Sequence, residues 1–270
     1  MWCRTNNSEL KETKKRLKAA KTAALKAGKL LLSRKDFKVH SKGWHDFFTE
    51  MDLESERVIV DYLSRLFPED DFLGEERGGG NKPGAGLWII DPIDGTNNFI
   101  HNIPGYTISI AYRNSTGDLT IGVIYDPRHR ELFWASRGEG AYLNKERIHV
   151  STIQNPDKAI TIIFPHPRIQ GNAPFFFRLM QKIYLQSLDM RNLGSSALHL
   201  AYVACGRAEA FIHPGLQIYD MAAGLVILEE AGGRYSGLAE DENPLETGNL
   251  LASNGALHDW YLLQNKSLEV

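Results

Sequence analysis

Asp91-Pro92-Ile93-Asp94-Gly95-Thr96 sets two carboxylates three positions apart across a proline, followed directly by a glycine and a hydroxyl. Carboxylates at i and i+3 across a proline kink can face one point in space. The glycine beside them lets an anion approach the backbone closely. Metal-assisted phosphate chemistry requires that combination. The apolar run Trp88-Ile89-Ile90 feeds into Asp91. A buried strand therefore ends in two charges at the edge of a core, which is costly unless they are neutralised. A tight turn would account for Asp, Pro and Gly together, but not for the apolar strand in front of them.

Four further acids are placed to join the pair: Glu75 and Glu76 in Phe72–Glu76, Asp52 in Thr49-Glu50-Met51-Asp52, and Asp220 in Tyr219–Gly224. Donors that are all oxygen suit hard cations such as Mg²⁺. The nine histidines show no pair at metal-ligand spacing in these segments, which argues against zinc. Each acid also has a local explanation. Asp220 fits an acid at a helix start, Thr49–Asp52 fits a capping box, and Glu75-Glu76 fits a charged loop.

The elements that must position these residues follow from periodicity. Residues 8–33 read as an amphipathic helix with Leu10, Leu17, Ala20, Ala24 and Leu31 inward and a solvated lysine face. Phe37–His45 reads as a loop. A second helix opens at Thr49, buries Val58, Ile59, Tyr62, Leu63 and Leu66, and stops before Pro68. Gly78 to Gly86 reads as a flexible connection. From Trp88 to about Leu143 strands take over: Tyr106–Arg113, Leu119–Tyr125 and Glu131–Ala135, separated by turn signals. Then strands near 159–164, 188–192, 208–213 and 249–253 alternate with helices near 174–186, 195–206 and 219–232. The expectation is an α+β protein. A 1–155 subdomain with an antiparallel sheet carries most of the acids, and a 156–270 α/β subdomain with a mixed sheet supplies Asp220.

The 270 residues are 43% hydrophobic and 24% charged with a formal net charge of −2. This is an ordinary globular composition, with no charge excess to draw nucleic acid or an anionic membrane. Cys3 and Cys205 define no disulfide framework. No apolar run reaches membrane-spanning length. Lysines and glutamates break up any signal-peptide core near the N-terminus, so a cytoplasmic location is expected.

Trp88–Phe99 resembles the signature of the inositol monophosphatase family, within the lithium-sensitive, Mg²⁺-dependent phosphatases. Tyr219–Gly224 resembles its second signature, an aromatic residue followed by Asp-x-Ala-Ala-Gly. Gly74-Glu75-Glu76, Lys42–Asp46 and Thr49–Asp52 match further segments in register, from about residue 10 to 262. The resemblance implies a layered αβαβα sandwich and a phosphate monoester hydrolase with two or three Mg²⁺ ions. Glu75, Asp91 and the Ile93 carbonyl would hold one ion, and Asp91, Asp94 and Asp220 a second. A third would sit near Glu75 and the Lys42 loop. Gly95 and Thr96 would offer N–H groups to phosphate, and Thr96, bonded to Asp52, would orient the attacking water. Asp94 and Asp220 would also contact the substrate. A homodimer is common in the family.

The Asp-x-x-Asp-Gly-Thr spacing differs from the Asp-x-Asp-x-Thr of aspartyl-phosphate phosphatases, so direct attack by water is expected. The matched segments Arg191–Ala197, with Ser195 and Ser196, and Ile212–Gln217 should contact the alcohol. His213 stands where inositol phosphatases usually have glutamate. It can accept a hydroxyl proton only through one neutral ring nitrogen. Fructose 1,6-bisphosphate, histidinol phosphate and 3′-phosphoadenosine 5′-phosphate are handled by relatives with the same metal core. Asn97-Asn98-Phe99 places the chain nearer the inositol branch. Some members instead act as accessory proteins in RNA synthesis.

Overall fold

The computed structural model describes residues 7–33, 36–163, 173–239 and 242–266. Cys3 and the expected end of a strand at residue 164 lie outside them.

The first half runs α1 (Asn7–Ser33), β1 (Val39–Gly43), β2 (Asp46–Thr49), α2 (Glu50–Leu66), β3 (Asp71–Gly74), β4 (Gly78–Gly79), β5 (Leu87–Asp94) and α3 (Thr96–Ile100). Next come β6 (Thr107–Arg113), β7 (Leu119–Asp126), β8 (Glu131–Ser136), β9 (Gly140–Leu143) and β10 (Glu146–Ile148). The second half runs β11 (Ile160–Ile163), α4 (Ala173–Tyr184), β12 (Asp189–Arg191), α5 (Ser196–Ala204), β13 (Ala210–His213) and α6 (Ile218–Glu230). It ends with β14 (Arg234–Ser236), α7 (Pro244–Thr247), β15 (Leu250–Ser253) and α8 (His258–Lys266).

The chain folds as the αβαβα sandwich. An eight-stranded sheet has the order β10-β9-β8-β7-β6-β5-β3-β4, and a five-stranded sheet has the order β12-β11-β13-β15-β14. Helices α1 and α2 cover one face of the large sheet, α5 and α6 fill the space between the sheets, and α4 and α8 lie outside the small sheet. Three apolar cores match these layers. The alanine-rich face of α1 (Ala19, Ala20, Ala23, Ala24, Ala27) joins Trp88, Ile90 and Ile93 in the first. The small side chains let α1 lie close to the sheet. The middle core joins Ile89 and Phe133 to Leu200, Met221 and Phe211.

Several local expectations need correction. Phe37–His45 is not a loop throughout: Val39–Thr49 forms the β1–β2 hairpin, whose β1 residues are all exposed. An exposed strand carries no alternating apolar signal, so periodicity passes over it. Gly78-Gly79 pairs with β3, and β3 runs parallel to β5, so the large sheet is not wholly antiparallel. Leu66 is exposed, and the inner face of α2 instead includes Ser55 and Glu56. The lysine face of α1 is not all solvated, because Lys21 Nζ lies 3.6 Å over the Trp134 ring. Glu146–Ile148, Arg234–Ser236 and α8 were not anticipated. The first two are three-residue strands, too short to show a period.

Candidate active site

The backbone of β5 decides where the first two carboxylates point. All eight residues of the strand are buried. Leu87 and Ile89 face α5 and α6, while Trp88 and Ile90 face α1 and α2. In a regular strand, residues three apart face opposite sides. Here the pairing with β6 slips between Asp91, opposite Ser109, and Asp94, opposite Thr107, so three residues of β5 span two of β6. Pro92, which has no N–H to give the ladder, sits in this bulge. The extra residue reverses the alternation and turns Asp91 and Asp94 to the same side. Asp70 steadies the other end of β5 by accepting from Trp88 Nε1 at 3.0 Å and from Arg16 at 3.1 Å.

Asp220 arrives from the first turn of α6. One carboxylate oxygen each from Asp91, Asp94 and Asp220 lies within 4.8 Å of the others. The three line a cavity of about 390 Å³ together with Glu75, Ile93, Gly95, Thr96, Ser196 and His213. The hairpin residues His45, Asp46 and Phe47 and the segment Gly215–Gln217 complete its rim. Asp52, Lys42 and Ser195 stand behind this wall rather than on it.

The local explanations of the acids hold at the same time as their convergence. Thr49 caps α2: its Oγ1 accepts from Met51 N at 3.1 Å, and Asp52 Oδ2 accepts from Thr49 N at 2.7 Å. Asp52 Oδ1 remains for Thr96 Oγ1 at 3.2 Å. Asp220 Oδ2 accepts from Gln217 N at 2.7 Å and so also closes a helix start. Gly95 has φ +96, a conformation that costs glycine little and turns the chain from β5 into α3.

Asp94 is held from the second half of the chain. Its Oδ2 accepts from Ser195 Oγ at 2.5 Å and from Ala197 N at 2.6 Å, at the N-terminal end of α5. Ser195 is buried, caps α5 and also touches Thr107 Oγ1 at 3.1 Å, so its hydroxyl faces Asp94 and not the cavity. Lys42 Nζ lies 3.3 Å from Glu75 and 2.5 Å from Glu76. It supplies a counter-charge to both glutamates.

Burial dominates the electrostatics. It pushes the Asp94 carboxyl up to about 6, against the hydrogen bonds from Ser195 and α5. Burial likewise pushes Asp52 up to about 6, against the bonds from Thr49. Asp91 rises well above the usual range through burial, then through repulsion from Glu75, Asp94 and Asp220. Glu75 is raised by burial and lowered in part by Lys42. Hard oxygen donors, crowded and desolvated, form an arrangement that a divalent cation relieves. The four acids and the Ile93 carbonyl are the groups that could hold one.

Sequence reasoning passed over two residues here. Glu56 is buried in α2, and its Oε2 accepts from Glu76 N at 3.0 Å, which anchors the turn that presents Glu75. Its only linear signal was a charge on the apolar face of a helix. His199 is buried in α5, and burial lowers its pKa to about 3. Its neutral Nε2 accepts from Leu193 N at 2.9 Å.

Comparison with known proteins places the chain among relatives of the same fold. The chain is 38% identical over 244 residues to the Escherichia coli K12 protein named Nus factor SuhB, covering 88% of this chain and 91% of that one. It is 37% identical over 237 residues to the Thermotoga maritima fructose-1,6-bisphosphatase/inositol-1-monophosphatase, covering 87% and 89%. The crystal structure of the extragenic suppressor protein suhB from Bartonella henselae superposes with a TM-score of 0.87 at 32% identity, covering 92% and 97%. Residues 12–268 match the model of the inositol monophosphatase family, and the chain belongs to that family.

Proposed function

We propose that the chain is a Mg²⁺-dependent phosphate monoester hydrolase of the inositol-1-phosphatase kind, in which water attacks phosphorus directly. The observation that carries this reading is the convergence of Asp91, Asp94 and Asp220 within 4.8 Å in a cavity shared with Glu75. Glu75, Asp91 and the Ile93 carbonyl would hold one cation, and Asp91, Asp94 and Asp220 another. A third would sit near Glu75, beside Lys42. When bound, such ions polarise the phosphoryl group, acidify water and neutralise the leaving oxygen.

The remaining residues act on substrate and water. Thr96 Oγ1 lies 3.2 Å from Asp52 Oδ1 and 3.0 Å from the Ile93 carbonyl, so a hydroxyl held between two acceptors can present its lone pairs to a water molecule. Gly95 and Thr96 line the cavity, where their N–H groups would suit a phosphate oxygen. Ser196 and His213 line the part of the cavity left for the alcohol. Ser195 acts by holding Asp94.

Phosphate release from inositol 1-phosphate, fructose 1,6-bisphosphate, histidinol phosphate and 3′-phosphoadenosine 5′-phosphate tests the proposal. Activity should require Mg²⁺, fall in lithium and vanish in Asp94→Asn. The His213→Glu variant should shift kcat/KM towards inositol phosphate; an unchanged preference removes His213 from specificity. A homodimer and a cytoplasmic location belong to the same proposal and are checked by light scattering and by fractionation.

A second reading, an accessory role in RNA synthesis, is supported by one observation: the E. coli relative is named a Nus factor. No turnover on any of these esters, with cation binding intact, would favour it.

A further inference from the structure

Asn98, the residue two places after Thr96, does not line the cavity, and the phosphatase reading gives it no part. Its side chain nevertheless bonds to two separate stretches of backbone, 104–105 and Leu193. Nδ2 donates to the Gly105 carbonyl at 2.8 Å and to the Leu193 carbonyl at 2.6 Å, with the Pro104 carbonyl at 3.4 Å. Surrounded by three carbonyl oxygens, only the amide nitrogen can occupy that end, so the orientation is settled by chemistry. Gly194 comes so close that a Cβ there would lie 2.6 Å from Asn98 Nδ2 and 2.8 Å from its Oδ1. Leu193 is gripped on both of its backbone groups: its carbonyl by Asn98, and its N–H by His199 Nε2 at 2.9 Å. The next residues of that loop are Gly194 and Ser195, and Ser195 Oγ reaches Asp94.

We infer that Asn98 is a positioning residue that fixes the 192–195 loop against the Asp91–Thr96 turn, and through Ser195 sets the aim of Asp94 and the cation affinity of the acid cluster. The inference rests on the cluster being a cation site. Asn98 touches no reacting atom. Its bond to Leu193 crosses 95 residues of sequence and couples the halves of the chain near Asp94, while its bond to Gly105 spans only 7. Removing them takes a donor from two part-buried carbonyls and frees the loop to drift from Asp94.

The test is Mn²⁺ titration calorimetry on the metal-free full chain, with amide hydrogen exchange over residues 193–198 as a readout independent of catalysis. Asn98→Ala should weaken Mn²⁺ binding at least about tenfold and speed exchange of the Ala197 and Leu198 amides by a similar factor. Ser195→Ala should do the same, and the double variant should be no more than about twofold worse than the weaker single one, because the two act in series. A general loss of packing would instead make the effects additive, and additivity overturns the inference. So does Mn²⁺ affinity within twofold of wild type in Asn98→Ala.

Should Asn98→Ala yield no folded protein, His199→Leu removes the other grip on Leu193 while His199→Gln keeps an acceptor. Weakened binding in the first, restored in the second, is the expected pattern; equal binding in both overturns the inference. A wild type that binds no Mn²⁺ overturns the cation reading itself. The exchange measurements then judge the clamp alone, and unchanged protection in Asn98→Ala removes it.

Discussion

Asp52 Oδ1 lies 3.2 Å from Thr96 Oγ1 while Oδ2 of the same carboxylate closes the cap of α2. One side chain therefore serves the fold with one oxygen and the candidate site with the other. The two roles can be separated. Asp52→Asn keeps one acceptor oxygen and should cost about 1 kcal/mol of stability, the range of a helix cap. Phosphate release should fall by about 10²–10⁴, the range of a lost acid–base or water-orienting group. Thermal unfolding and kcat measured on one preparation check both. A proportionate fall in the two would leave Asp52 as a cap only.

The acid cluster should destabilise the metal-free chain. Asp91 is buried and repelled by Glu75, Asp94 and Asp220. Asp91→Asn removes that charge and can keep the bond that Oδ1 accepts from Ile93 N at 3.0 Å. In chelator, Tm should rise by roughly 2–4 °C for each kcal/mol relieved, while Mg²⁺-dependent activity disappears. A Tm drop in chelator would show that the acids are already compensated within the protein.

Divalent cation should reverse the penalty. At 100 times Kd a ligand that binds only the folded state adds about 2.7 kcal/mol. Mg²⁺ should therefore raise Tm of the wild type by roughly 5–10 °C and leave Asp91→Asn unmoved. Scanning calorimetry across a Mg²⁺ series, with chelator added back, tests it.

Lys42 competes for the same charge. Its ammonium lies 3.3 Å from Glu75, so a cation near Glu75 must share the carboxylate with it. Lys42→Met should tighten cation binding several-fold and raise the pKa of Glu75 further, because the ammonium that lowers it is gone. Calorimetric titration of the variant decides; weaker binding would mean that Lys42 helps to build the site.

Stability should depend on pH through two opposed sets of groups. Burial lowers His199 from 6.5 to about 3 and His258 from 6.5 to about 4. Below pH 6.5 the unfolded chain takes up these protons and the folded chain does not, so stability falls as pH drops through about 4 and then about 3. Burial raises Asp52 from 3.8 to about 6. There the folded chain keeps a proton that the unfolded chain has lost, so that contribution fades as pH rises through about 6. Replacing His258 by Asn should flatten the stability curve between pH 4 and 6.5 by about 1.4 kcal/mol per pH unit. Urea unfolding across that window, in chelator, is the check.

Much of the fold was legible in the sequence where a long segment buries one face. The apolar spacing in α1 and α2 and the aromatic and β-branched content of β6, β7 and β8, with turn signals between them, mark those elements to within a few residues. The β1–β2 hairpin was not legible, because an exposed ribbon has no apolar face to read. Pairing partners were not legible either: the parallel contact of β3 with β5 depends on which strand edge is open, and composition does not encode that.

The sequence by itself determined the donor set. Acids at 75, 91, 94 and 220, with a proline and a glycine beside the middle pair, supply oxygen donors of the kind that suits a hard cation, because residue type alone fixes which atoms can donate. The tertiary structure decided the geometry. A one-residue bulge at Pro92-Ile93 turns Asp91 and Asp94 to one side, α6 brings Asp220 to them, and Ser195 holds Asp94 from 101 residues away. Direction in space depends on strand register and on how the two sheets share their middle helices. Both are set by packing many side chains at once.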